Sequence, residues 1–130
     1  MGQQQLLLII LGVIIVGIAI AVGLSLFSAQ SIESNKDAMV NDINNINAHA
    51  YQYFIRPVSM GGGGGSFTGY KIPTKMSSND NATYSCGTPA GTTIQVDGNS
   101  VANPSSHVIA TFDAVAGKVT GNFSFSGVFQ

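Results

Sequence analysis

The sequence predicts an α+β protein: one long N-terminal α-helix, its C-terminal half packed on a small antiparallel β-sheet. Three observations carry that expectation. Leu6 to Phe27 is an uncharged run of 22 residues, and the first ionisable side chain is Glu33. From Gln30 to Phe54 apolar residues recur at helical spacing. After Ser66 the apolar period changes to two, the spacing of strands with one covered face.

Residues 1–28 come first. An apolar helix of about 20 residues spans the ~30 Å hydrocarbon core of a bilayer. In water, a domain of this size has no place for a helix that is apolar all round. The segment is therefore expected in lipid, or in a bundle of many identical helices. Gly12, Gly17 and Gly23, with Ala19, Ala21 and Ser25 between and beyond them, interrupt the run. In an aqueous helix each Gly costs about 0.8–1 kcal/mol relative to Ala. In a bundle, small residues let backbones approach closely. The spacings are not GxxxG, so close packing is expected without a specific dimer motif. No proline removes a backbone donor between Gly12 and Gly23, which predicts a continuous helix there. An ordinary cleaved signal peptide is not expected. The run is longer than a secretory core of roughly 7–15 residues, no basic residue precedes it, and Ser28-Ala29-Gln30 is a poor cleavage site.

Residues 29–57 continue the helix with a different character. Ile32, Met39, Ile43, Ile46, Ala50 and Tyr53/Phe54 make one apolar stripe. Lys36 lies on that stripe and reaches its edge by snorkelling. Glu33, Asn35, Asp37, Asn41, Asp42 and Asn45 fall mostly away from it. Pro57 disfavours helix at Arg56. One helix is expected from about residue 3 to 55, roughly 80 Å long at ~1.5 Å per residue.

Residues 58–66 hold Gly61 to Gly65, which cannot keep a helix or strand on their own. Two readings stand: a flexible linker, or a turn with positive φ angles packed against the helix end.

Residues 67–130 are expected to form the β domain. Lys118 to Phe129 alternates strictly, with Val119, Phe123, Phe125 and Phe129 on one side, Gly121 and Gly127 between them, and Lys118, Thr120, Asn122, Ser124 and Ser126 on the other. Val108, Ala110 and Phe112 supply a matching face on the strand before, with the turn at Ala114 to Gly117. Asp97-Gly98 between extended runs predicts a second hairpin joining Thr93–Val96 to Asn99–Val101. Phe67 to Ile72 and Ala82 to Cys86 are weaker strand candidates, and Asn103-Pro104-Ser105-Ser106 is a loop. A sheet with one apolar face needs cover, and the stripe from Ile32 to Phe54 is the helix available.

Composition narrows the function classes. The net charge is −1 and charged residues make up 8%, against a usual ~25%. No Lys/Arg cluster exists to displace counterions, so no nucleic-acid partner is expected. A Ser/Thr/Asn-rich, weakly charged surface suits an extracellular protein that packs against its own copies, or a glycosylated one. Cys86 is alone, which excludes an intramolecular disulfide and a Cys-based metal site.

The layout, with Leu6-Leu7-Leu8-Ile9-Ile10 opening the apolar run, resembles type IV pilins and related bacterial filament subunits. If Met1 is the first residue of the mature chain, that run falls where pilins carry theirs, and Met is an acceptable first residue in such proteins. The resemblance implies polymerisation through the first half-helix. In that family a glutamate at the fifth position pairs with a neighbour's terminal amine. This chain has Gln5, an amide that can hydrogen-bond an amine without neutralising it. The family's usual proline near position 22 is replaced by Val22, and no basic leader ending in Gly is visible unless it is reduced to Met1-Gly2. Tyr53-Phe54-Ile55-Arg56-Pro57 and the glycine run also resemble a segment of uncharacterised bacterial proteins with pilin-like N-termini. The candidate polymerisation interface is Gln3, Gln4, Gln5, Leu8, Leu11, Gly12, Ile15, Gly17, Ala19, Val22 and Gly23.

Other candidates carry less. His49 and His107 lack paired carboxylate spacing, and no metal or cofactor is expected. No Gly-x-Ser-x-Gly elbow occurs, no P-loop lysine follows the glycines, and no catalytic residue stands out. Cys86 has no neighbouring base in sequence and reads as an inert thiol. Asn81-Ala82-Thr83 and Asn122-Phe123-Ser124 match the glycosylation acceptor pattern, Asn81 being the better loop site. Phe27, Tyr51, Tyr53, Phe54, Phe67 and Tyr70 could form a stacked path for electrons, and core or interface packing is the plainer reading.

Three classes of function result. The first is the structural subunit of an extracellular homopolymeric filament, drawn from the inner membrane and partnered by itself. The second is a single-span, membrane-anchored extracytoplasmic binding domain. The third, a tethered enzyme, has no residue in its favour. A plain anchor normally has Lys or Arg on its cytoplasmic side. None precedes Lys36, which favours a helix destined to leave the lipid.

Overall fold

Residues Gly2–Ile55 close one α-helix, α1, unbroken through Gly12, Gly17 and Gly23. It stops before Arg56-Pro57, where the proline ring crowds the residue ahead of it. The computed structural model describes residues 2–115 and 118–130. The chain forms two compact units: the first ends at Glu33 and the second is Ser34–Gln130.

In the second unit, short 3-10 turns occupy Val58–Met60 and Gly127–Phe129, and a one-turn helix α2 covers Thr74–Ser77. The strands are β1 (Ala82–Cys86), β2 (Thr93–Ser100), β3 (His107–Val115) and β4 (Lys118–Phe125). They form an antiparallel sheet in the order β1-β2-β3-β4. Met39, Ile43, Ile46 and Ala50 of α1 are buried. They cover the sheet face made by Ala82, Tyr84, Ile94, Val96, Val108, Ala110, Phe112 and Ala114. Each large side chain so removed from water contributes at most about 1.5–3 kcal/mol. Phe67, Tyr70 and Phe129 close the ends of this core.

β4 is an edge strand. Phe123 stacks beside Phe125 at 6.3 Å between centroids and meets Phe112 edge-on at 5.9 Å. Lys36 extends along the stripe as expected, and its Nζ lies 4.3 Å from the centre of the Phe125 ring. The ring's negative face holds the ammonium at the rim of the core.

Four expectations need correction. Asp97-Gly98 is not a turn. Both residues lie inside β2, and Gly98 pairs with Tyr84 on one side and Val108 on the other. Gly98 is absent from the glycines with positive φ. Its missing side chain admits the Tyr84 ring and the Met39 methyl: a Cβ there would lie 3.0 Å from Tyr84 Cε1 and 3.2 Å from Met39 Cε. The chain reverses instead in the segments 87–92 and 101–106. Phe67 to Ile72 is a loop rather than a strand, held by turn hydrogen bonds such as Tyr70 N–H to the Phe67 carbonyl at 2.9 Å. Strand β4 ends at Phe125, and Phe129 reaches the core from the following 3-10 turn. Ala114, expected in a turn, is the buried penultimate residue of β3. The rest of that turn, Ala116 and Gly117, lies outside the described residues, as does Met1.

The glycine run packs against the end of α1, the second of its two readings. Gly63 N–H donates to the Tyr53 carbonyl at 2.8 Å, Gly64 N–H to Arg56 at 2.9 Å and Gly65 N–H to Phe54 at 2.8 Å. These bonds satisfy carbonyls that the last turn of a helix leaves without partners. A Cβ at Gly63 would collide with the Ser66 carbonyl and lie 2.9 Å from Tyr53 Cε1. Gly62 and Gly63 are glycine because backbone lies where a side chain would stand, whereas Gly61, Gly64 and Gly65 adopt positive φ.

Candidate functional site

In the first unit every side chain from Gln3 to Phe27 is exposed. A helix advances 3.6 residues per turn. Leu8, Leu11, Ile15, Ala19 and Val22 therefore share one stripe, with Gly12 and Gly23 beside it. Gly17 lies on the opposite side, so the expected interface residues surround the helix rather than sharing one face. Leu8 is 68% and Ile15 57% exposed. An added Cβ at Gly12, Gly17 or Gly23 meets nothing within 4 Å, so all three are open notches in the apolar surface. Gln3, Gln4 and Gln5 are exposed on the first turns. The helix is long and apolar enough to cross a membrane, with none of its apolar segment buried.

The second unit holds a polar network that locks α1 to the sheet. The Asp42 carboxylate accepts hydrogen bonds from the Tyr84 hydroxyl and the Asn79 amide, each at 2.7 Å. Asn35 accepts from Ser100 Oγ at 2.8 Å and donates to the Asn81 carbonyl at 3.4 Å. Asn35 and Asp42 thus depart from the solvated face expected for them. Burial first, then the hydrogen bond to Asp42 and its charge, raise the Tyr84 phenol above its ordinary range, while Asn79 opposes them. Burial, with Cys86 adding, pushes Tyr70 up to about 12.

His49 Nδ1 lies 2.9 Å from the Tyr70 hydroxyl, and His107 opens β3 as a separate feature. Cys86 ends β1 half-buried, its Sγ 3.9 Å from the Tyr70 carbonyl. Among the described residues no group of three or more His, Cys, Asp or Glu is placed to hold a metal ion. Tyr51–Phe54, Phe54–Phe67 and Tyr53–Tyr70 have centroids 6.0, 4.8 and 5.5 Å apart. Phe54–Phe67 and Tyr53–Tyr70 bind the helix end to the 67–70 loop. Phe27 belongs to the first unit. Asn81 sits in the bend before β1, half-buried, with its carbonyl accepting from Val101 N–H at 3.1 Å. Asn122 lies on the exposed side of β4.

Sequence reading passed over Ile55, Val58 and Met60, which are 60–72% exposed where α1 ends. The signal was there: apolar residues on both sides of Pro57, outside the stripe.

Compared with known proteins, the chain matches no family model, no curated protein and no solved structure. The class that fold and surface define is an α+β chain with a long apolar N-terminal helix and a small antiparallel sheet. That layout is compatible with a pilin-like fold.

Proposed function

We propose that this chain is the structural subunit of an extracellular, pilus-like homopolymeric filament, assembled through residues ~3–27 after passage through the inner membrane. One observation carries the reading: the 22-residue uncharged run is an unbroken helix with apolar side chains exposed all round. At ~25 cal/mol per Å², hiding such a surface is worth tens of kcal/mol before ordering costs. A bilayer hides it for one chain, and an axial bundle of copies hides it for many. One feature favours the bundle as the final state. Three glycine notches offer close backbone approach to a neighbouring helix.

The test is negative-stain microscopy of material sheared from producing cells, with mass spectrometry of the purified fibres. Fibres composed of this chain support the reading. Recovery of the chain solely with membranes, and no fibre, overturns it in favour of a single-span anchored binding domain.

A further inference from the structure

The fold treats the two Asn-x-Ser/Thr acceptor sequences differently. Asn81 is half-buried where α1 meets the sheet. Its N–H donates to the Asn79 side-chain oxygen at 2.9 Å, and its carbonyl accepts from Val101 N–H at 3.1 Å and from the Asn35 amide at 3.4 Å. Asn122 is exposed in the middle of β4. Ser124, the hydroxyl of the same acceptor sequence, is exposed two residues on and therefore on the same face. That face is the one turned away from α1. A sugar attached before folding must still find room afterwards, so exposure in the folded chain decides in either order.

The surroundings of Asn122 suit a carbohydrate. Within the sheet β4 has a strand neighbour, β3, on one side only. No charged residue and no proline lies between Val119 and Phe125 to blunt the open side, a device edge strands commonly use. A bulky hydrophilic group on Asn122 stands beside that edge. Next to Asn122 on the outer face is a polar hollow of about 390 Å³. Thr93 and Thr120 flank Asp113 in register, and Thr111 pairs with Asn122 itself. All five line the hollow. Among the described residues Asp113 Oδ1 has no hydrogen-bond partner. Three threonine hydroxyls and a carboxylate oxygen with spare acceptor capacity complement the hydroxyls of a sugar ring.

We infer that Asn122, and not Asn81, carries an N-linked glycan whose first sugar rests in the hollow beside Thr93, Thr111, Asp113 and Thr120. The donor class is a glycosyl diphosphate. Asn122 Nδ2 forms a bond to the anomeric carbon, and the bond from that carbon to the phosphate oxygen breaks. The diphosphate leaves with the electron pair, and the nitrogen gives up one proton to a base of the transferase. The inference rests on the extracytoplasmic half of the proposed function, because the chain must meet a transferase on its way out of the cell. It does not require polymerisation.

The test is mass spectrometry of the full chain taken from the cells that naturally produce it and digested with trypsin. Cleavage after Lys75 and Lys118 puts Asn81 and Asn122 on different peptides. The peptide beginning at Val119 is expected to carry hexose or N-acetylhexosamine mass, which fragmentation places on Asn122. Asn122→Gln and Ser124→Ala, made in the same cells, are each expected to lose that mass, and Ser124→Thr to keep it. That pattern separates an N-linked glycan from sugars on the hydroxyls of Thr120, Ser124 or Ser126. A Val119 peptide without sugar overturns the inference, as does sugar on Asn81 alone or sugar that survives Asn122→Gln. Sugar-free fibres overturn it and leave the filament reading standing. Chain modified at Asn122 but recovered solely with membranes supports it and overturns the filament reading.

Discussion

The carboxylate of Asp42 on α1 accepts a hydrogen bond from the Tyr84 hydroxyl on β1 at 2.7 Å, joining helix and sheet through a tyrosine that is 5% exposed. Removing the acceptor leaves that hydroxyl without its bond inside the core. Asp42→Ala is expected to lower stability by about 1–3 kcal/mol, the cost of an unsatisfied buried polar group. Tyr84→Phe removes the donor and keeps the ring, and is expected to cost less, about 0.5–1.5 kcal/mol. Urea unfolding of the detergent-solubilised chain, followed by circular dichroism, measures both. Equal stability of Asp42→Ala and the unaltered chain refutes the locking role.

Alkaline pH tests the same core. Tyr70 holds its proton up to about 12, and Tyr84 is likewise raised. An unfolded tyrosine titrates near ~10. Above that pH the unfolded chain binds fewer protons than the folded one, so stability falls as pH rises. The contribution is intact below pH ~10 and is lost as pH climbs from there through the folded values. Each phenol adds a slope of about 1.4 kcal/mol per pH unit within that window. Thermal melts from pH 8 to 12 are expected to be flat at first and to drop beyond pH ~10. Tyr70→Phe is expected to make the drop shallower, and an unchanged drop in that variant shows that other groups cause it.

Gly98 decides between two readings of Asp97-Gly98. In the strand, the Tyr84 ring and Met39 methyl fill the space of a side chain. Gly98→Ala is expected to destabilise by about 1–3 kcal/mol through overpacking. A neutral result, or a gain of the ~0.4–1 kcal/mol that Gly→Ala brings at unstrained sites, contradicts the close approach. The difference in urea midpoint is the readout.

Periodic signals were legible because burial has one direction per element. Met39, Ile43, Ile46 and Ala50 had to face the sheet, and Val108, Ala110 and Phe112 had to face the helix. The pre-proline position fixed the helix end at Ile55. Local dipeptide chemistry was less reliable, since Asp-Gly serves a turn or a crowded strand, and only the distant Tyr84 and Met39 decide which. Polar residues were the least legible. Asn35 and Asp42 have the composition of a solvated face, yet their partners Ser100 and Tyr84 lie 65 and 42 positions away. The candidate interface on residues 3–23 was legible as surface chemistry, an uncharged run interrupted by glycines. On the filament reading, its contacts lie in other copies of the chain.

The apolar run gives a sharp test of assembly. Ile15 lies on the stripe with Leu8, Leu11, Ala19 and Val22. Ile15→Asp puts a charge where the filament reading requires dry helix packing, and an unpaired charge there is prohibitively costly. Fibres are expected to disappear. The second unit is expected to keep its fold, visible as unchanged circular dichroism from the sheet. Abundant normal fibres from Ile15→Asp rule out axial burial of this helix.

Gln3, Gln4 and Gln5 pose a finer question. Their amides open α1 on consecutive, exposed positions. Placed in an apolar bundle, each amide needs partners, at a cost of about 1–3 kcal/mol if it finds none. On the filament reading, the partners in reach are the glutamine amides of neighbouring copies. A ring of such groups satisfies itself and fixes the register between helices, as a buried Asn does in coiled coils. Replacing all three with Leu keeps the hydrophobic drive and removes the register. The triple variant is expected to assemble more slowly, into fibres of mixed symmetry and lower melting temperature, read by cryo-microscopy and thermal scanning. If it instead assembles at the unaltered rate into fibres of identical symmetry and stability, the glutamines are a solvated terminus and have no part in docking.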